Sequence, residues 1–341
     1  MTFSDHAAPP DFSAGEEFGE KSECQVFPSL EELYPDAVER ENEEGTFLEI
    51  PRSTTIPPEI IPPFSKNRRR LYRKLELVQG IGPRTAQICR QRGTSTIAQL
   101  IYNRPRYAPA AREVKWSLDA GDYVQLATIK SLKDIDFIHC FKLSEVLFFD
   151  IENLGFHNQP LFMIATGWFS DIPSGQFSIR QWFARDIGEE AAILREFLDD
   201  LPNYKCIVSY NGKTFDLNVL RARSIYYFDD EFCSRLASAP GGPENVGVHH
   251  IDLFHASRRL WKGENFEDFR LATLESNLLD IKRDETKDIR SAEVPRVYRH
   301  FLEDPSDTAD IYKVIEHNYH DVITLAFLLG KVLYRVFSSA C

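Results

Sequence analysis

The stretch EVLFFDIENLG, Glu145 to Gly155, decides how this chain is read. Its apolar run, Val146 to Phe149, reads as a buried strand, and two carboxylates, Asp150 and Glu152, stand at its end. Side chains at i and i+2 of a strand share a face. Two negative charges then lie side by side at the edge of a core, where repulsion and burial both raise their cost. The rest of the chain must supply whatever makes that arrangement tolerable.

Two later stretches supply candidates. SYNGKTFDLNVL, from Ser209, puts Asn211 and Gly212 at a strand end and Asp216 in the first turn of the next helix. EHNYHDVITLAFLL, from Glu316, puts Asp321 on a C-terminal helix with His317 one turn before it; residues at i and i+4 face the same way. Asp150, Glu152, Asp216 and Asp321 are thus predicted to converge from separate elements. Such an all-oxygen set suits magnesium or manganese. Two such ions, about 3.5–4 Å apart, clamp the attacking and leaving oxygens in phosphodiester cleavage. His249, His250 and Asp252 read instead as strand residues near a sheet end, with Asp252 supporting the site from behind.

Around these stretches the chain alternates strands and helices. Val146–Phe149, Leu161–Trp168, Phe177–Phe183, Lys205–Gly212 and His249–Phe254 read as strands. Glu189–Leu201, Thr214–Ser224 and Ala309–Val336 read as helices. That order predicts an α/β fold with a mixed sheet between helices. The 43% hydrophobic content supports a sizeable core, and no 18-residue apolar run suggests a membrane span. Cys24, Cys89, Cys140, Cys206, Cys233 and Cys341 form no C-x-x-C pair, which argues against a disulfide framework or a zinc site. The N-terminus has no secretory pattern, so a cytoplasmic protein is expected.

The net charge of −12 is unevenly spread. Residues 1–60 carry 15 acidic and 3 basic side chains, whereas residues 61–115 carry 2 and 13. A basic block inside an acidic chain points to a polyanion partner. Residues 1–64 read as an acidic, largely disordered tail followed by the Pro-rich linker IPPEIIPPF. Within residues 65–140, Leu71, Leu75, Leu77 and Val78 suggest a helix that stops at Gly80. Pro83 starts a second helix, with Ala86, Ile88 and Cys89 facing inward. Thr94–Tyr102 makes a third.

The motifs DIE, NGKTFD and HNYHD, in this order, resemble the three motifs of the DEDD 3′–5′ exonucleases, which have a ribonuclease H-like fold. LATLESNLLDIKRDETKDIRSAEVPRVYRHFL, from Leu271, with the HNYHD stretch, resembles the bacterial YprB-type ribonuclease H-like domain. The resemblance covers about residues 145–336. It implies a ribonuclease H-like domain at 141–341, with Asp150, Glu152, Asp216 and Asp321 as ligands of two Mg2+ or Mn2+ ions and His317 as the base. Asn153 stands where that class has threonine, and His317 precedes Asp321 by four residues rather than five. VQGIGPRTAQ resembles a helix-hairpin-helix module, in which Gly80, Gly82 and Arg84 meet nucleic-acid phosphates with Lys66, Arg68, Arg69 and Arg70. Asn211 and Phe215 are expected to position the strand end.

The expected function is a metal-dependent nuclease, a 3′–5′ exonuclease acting on nucleic acid that is single-stranded or has a free 3′ end, with DNA favoured over RNA. A non-cleaving nucleic-acid-binding module on a nuclease fold and a structure-selective endonuclease stand as alternatives.

Overall fold

The computed structural model describes residues 28–338, apart from 62, 130, 156, 157, 230–247 and 284–287. Its frame is a seven-stranded sheet of β1 (Val38–Asn42), β2 (Gly45–Thr55), β3 (Val146–Asn153), β4 (Leu161–Asp171), β5 (Gln176–Phe183), β6 (Cys206–Ser209) and β7 (His249–Asp252). The spatial order is β1-β2-β5-β4-β3-β6-β7. β3, β4 and β5 form an antiparallel meander, and β6 and β7 continue the sheet in parallel. The mixed sheet between helices matches the expectation.

The VLFF run is buried throughout because both faces of β3 are covered. Val146 and Phe148 join one apolar cluster with Val322, Leu325 and Leu329 of the C-terminal helix Ala309–Ser338. Leu147 and Phe149 join the opposite cluster, with Leu194 and Phe197 of the helix Glu190–Asp200 and Tyr298 of the helix Val294–Glu303. This is the two-residue alternation of a strand. Burial of these side chains stabilises the fold by about 1.5–3 kcal/mol each.

The turn and strand that EEGTFLEIPRSTT, Glu43 to Thr55, suggests in sequence is present as β2, within the segment otherwise read as a disordered tail. Residues 1–27 lie outside the described residues, but β1 and β2 form a hairpin whose second strand pairs with β5 along Leu48–Thr55. Phe47, Leu48 and Ile50 are buried in the sheet's own core. These are the apolar residues that make the segment a strand rather than part of a tail. The Pro-rich stretch is likewise packed, not a free linker: Ile56, Ile61 and Phe64 are buried. The Ile60 carbonyl lies so close to Gly330 that a β-carbon there would stand 2.4 Å from it.

The helical region contains the helices Ser65–Leu71, Pro83–Gln91, Ile97–Asn103 and Ala108–Ala120. The helix expected to run on to Gly80 ends at Leu71, and a short 3-10 turn covers Leu75–Leu77. There the Tyr72 carbonyl leaves the helical ladder and accepts from the Ile97 N–H at 2.8 Å. Ala86 and Cys89 are buried, but Ile88 is 48% exposed. Two residues on from Ala86, it sits roughly 200° round the helix. Leu71, Leu100 and Leu118 share one apolar cluster with Val208 and Ile251 of the sheet, so the core has no break near residue 140. Among the described residues no helix is long and apolar enough to cross a membrane.

Candidate active site

Asp150 and Glu152 point to the same side of β3, opposite Ala165 and Met163 of β4. Asn318 Nδ2 donates to Asp150 Oδ2 at 2.9 Å, and the Asn318 carbonyl accepts from Gln181 Nε2 at 3.1 Å. That chain of amides fixes the Asp150 carboxylate from behind. Asn318 lies inside the HNYHD motif, yet nothing in the motif's spacing marked it as an Asp150 partner.

Asp216 opens the helix Asp216–Phe228 after a tight turn. Asn211 takes a left-handed conformation there, with φ 60°, which asparagine tolerates better than most residues. The Asp252 carboxylate holds the turn by accepting from the N–H groups of Asn211 at 2.9 Å and Lys213 at 3.2 Å. A β-carbon at Gly212 would lie 2.1 Å from Ser209 Oγ and 2.8 Å from Asp216 Oδ2. Only glycine lets the turn pass so near the acid. Asp252 therefore supports the site through its loop. His249 is buried against Phe137 and Tyr123, with Nε2 3.1 Å from the Asp134 carbonyl, and His250 Nε2 lies 2.8 Å from Ser209 Oγ. Burial pushes the His250 pKa down to about 3, so it stays neutral.

The C-terminal helix brings His317 and Asp321 to the same place. His317 Nδ1 is 2.7 Å from Asp288 Oδ1, and its Nε2 is 3.7 Å from Asp321 Oδ2. Arg283 joins them: its guanidinium pairs with Asp321 and reaches Glu275 Oε1 at 2.6 Å. Glu275, Arg283 and Asp288 lie within the Leu271–Leu302 stretch that carried the resemblance, but as isolated charges they gave no sign of what they would meet.

The electrostatics follow from this crowding. Burial first, then Asp321, Glu152 and Asp216, raises the Asp150 pKa well above the usual carboxylate value. Burial pushes Glu152 up to about 7, with His317 and Arg283 opposing it. Burial, Glu152, Asp252 and Asp321 push Asp216 up to about 8. Burial disfavours charge on His317, but Asp321, the hydrogen bond to Asp288 and Glu152 outweigh it and raise its pKa to about 9. Asp321 thus acts on Asp150, Glu152, Asp216 and His317 alike.

The donor chemistry fits a hard divalent cation, since four carboxylates are brought together and the ionisation of three of them is opposed by burial and by one another. Among the described residues, however, no three His, Cys, Asp or Glu side chains meet closely enough to hold one ion.

Of the residues expected to bind nucleic acid, Lys66, Arg69 and Arg84 are exposed, as are Gly80 and Gly82. Phe215 is 45% exposed beside Asp216, and Asn211 is half-buried. Arg70 is turned inward onto Asp136, and Arg68 donates to the Asp119 carbonyl at 3.1 Å. A cavity of about 880 Å³ beside the Gly80–Gly82 turn is walled in part by Glu76 and Glu113, acids that disfavour a phosphate inside it.

A family model described as the RNase H superfamily matches residues 147–333. The chain belongs to the RNase H superfamily. The match runs from β3 to the C-terminal helix and so contains all four acids. No curated protein matches the chain. Among solved structures, the family B DNA polymerase of the hyperthermophilic archaeon Pyrobaculum calidifontis is similar over 55% of this chain and 24% of its own, at 23% identity and a TM-score of 0.40. That match covers under a quarter of the polymerase's length. Outside the family match, residues 147–333, stand the β1–β2 hairpin and the N-terminal helices.

Proposed function

We propose that this RNase H superfamily chain is a metal-dependent nuclease, acting as a 3′–5′ exonuclease of the DEDD class with a YprB-like domain. The observation that carries the reading is the coupling of Asp150, Glu152, Asp216 and Asp321, three of them with raised pKa values, from three separate elements. Structural ion pairs rarely gather that many acids for so few cations. Asp150, Glu152, Asp216 and Asp321 would hold two Mg2+ or Mn2+ ions. When bound, these supply the positive charge that stabilises the phosphate in cleavage and acidifies water.

The chain's own residues do the rest. Asp288 fixes Nδ1 of His317, whose Nε2 lies 3.3 Å from Ser291 Oγ and 3.7 Å from Asp321 Oδ2. Once charge on the acid cluster is compensated, Nε2 accepts the proton of the attacking water. Asn211 and Phe215 border the Asp216 turn, where an exposed aromatic ring can stack on a terminal base. In the helical region of residues 65–140, which we read as the helix-hairpin-helix, Lys66, Arg69 and Arg84 grip the nucleic-acid backbone with Gly80 and Gly82.

The test uses 5′- and 3′-labelled single- and double-stranded DNA and RNA with Mn2+ and with EDTA. Mononucleotides released from the 3′ end, lost with EDTA and with Asp150→Asn, are expected. Discrete fragments would make it an endonuclease, and binding without cleavage would leave a binding module.

A further inference from the structure

Arg283 is built into the acid cluster more tightly than a chance surface cation. Its side chain is 10% exposed. It forks onto Glu275, with Nε at 2.9 Å and Nη2 at 2.6 Å from the two carboxylate oxygens. Glu275 is itself 2% exposed and accepts from Thr324 Oγ1 of the C-terminal helix. The segment Glu275–Leu279 is a π-helical turn, closed by Asp280 in a left-handed conformation. Such turns are uncommon and recur at functional sites. Nη2 of the same fork is shared with Asp321, while Nη1 lies 3.5 Å from Asp288 Oδ1 and 3.1 Å from His317 Nδ1.

Glu275 alone neutralises Arg283, so this cation is not needed to balance the four acids. It nevertheless occupies Asp321, with which it pairs directly. We infer that Arg283 is a resident counter-cation that holds Asp321 while the acid cluster is metal-free and competes with a divalent cation for it. Asp321 is then given up to the metal site only when a cation displaces the guanidinium. Two positive charges cannot share one carboxylate in a low-dielectric site without a large cost. The inference rests on the metal-site reading above.

The test is calorimetric titration of the full chain with MnCl2 alone, alongside thermal denaturation in EDTA and in Mn2+. The central variant is Glu275→Gln/Arg283→Gln, which removes the anchor and the fork together and leaves the cluster's net charge unchanged. It is expected to bind Mn2+ at least tenfold more tightly than the wild type and to gain more melting temperature from Mn2+. In an Asp321→Asn background the same pair of changes is expected to give no gain. Unchanged or weaker Mn2+ binding in the first case, or a gain that persists with Asp321→Asn, overturns the inference. If circular dichroism shows the double variant unfolded, Arg283→Lys carries the test: it keeps the charge but lacks the second arm, and a gain of at least threefold is expected, with no gain counting against. Wild-type Mn2+ binding that Asp150→Asn does not weaken sinks the metal-site reading itself, and the inference with it.

Discussion

At the scale of single residues, the cluster makes opposite demands on activity and stability. Asp150→Asn is expected to abolish cleavage and to raise the melting temperature of metal-free protein, because it removes a buried carboxyl whose ionisation burial and its neighbours oppose. The acids also set the pH dependence. Glu152 and Asp216 keep their protons in the folded state up to about 7 and about 8, whereas in the unfolded chain they lose them in the usual carboxylate range. The stability from that difference is full at low pH and is lost as pH rises through those folded values. His317, raised to about 9, acts in the same direction. Melting curves in EDTA from pH 5 to 9 are therefore expected to fall, and to fall less in Asp216→Asn; a flat wild-type profile would count against the coupling. His317→Ala is expected to slow cleavage by roughly 10²–10⁴, the range for a general acid–base group, in single-turnover assays. The acids were legible because each ends a local pattern: a strand, a turn, a helix turn. Arg283 was not, because its role depends on Asp321, 38 residues away, and no local pattern encodes that distance.

At the scale of elements, the C-terminal helix carries the most. It places His317, Asn318 and Asp321, and one residue earlier Glu316 ties it to the N-terminal hairpin. Arg52 of β2 pairs with Glu316 at 2.6 Å, Tyr34 donates to it at 2.9 Å, and the guanidinium lies 3.4 Å from the centre of the Tyr319 ring. Arg52→Ala leaves Glu316 buried without its cation, and should cost about 3 kcal/mol, the lower end for breaking a buried pair. Urea unfolding measures it, and a loss near zero would show the hairpin to be decoration. The five strands of the RNase H domain were legible from their apolar runs. β2 was legible as a turn and strand over Glu43–Thr55, but its place beside β5 was not, and it contains Pro51, a residue confined to edges within sheets. The structure tolerates it because β1 pairs only with Gly45–Glu49, so one side of Pro51 has no strand neighbour.

At the scale of the molecule, the charge blocks were legible but the destinations of their members were not. Burial lowers the pKa of Arg70 to about 10 and of Lys74 to about 8, because both serve the packing around Asp136. Counting charges cannot separate those from Lys66, Arg69 and Arg84. Replacing these three with alanine is expected to weaken binding to duplex DNA and to lower the salt slope by about 0.9 per lost phosphate contact. Fluorescence anisotropy across a salt series reads it, and an unchanged slope removes them from the path. The acidic block is not one unit either: it contains β1 and β2, two strands of the sheet.

The β1–β2 hairpin also sets an order of events during synthesis. Glu49 accepts from Trp182 Nε1, 133 residues further along the chain. At the usual rate of translation that partner is made roughly 7–27 s after the hairpin. For that interval Phe47, Leu48 and Ile50 are apolar side chains without their sheet. The edge that finishes the folded sheet is thus an early liability of the nascent chain, and arrested chains ending before Gln176 should bind holdase chaperones that release chains extending past Phe183.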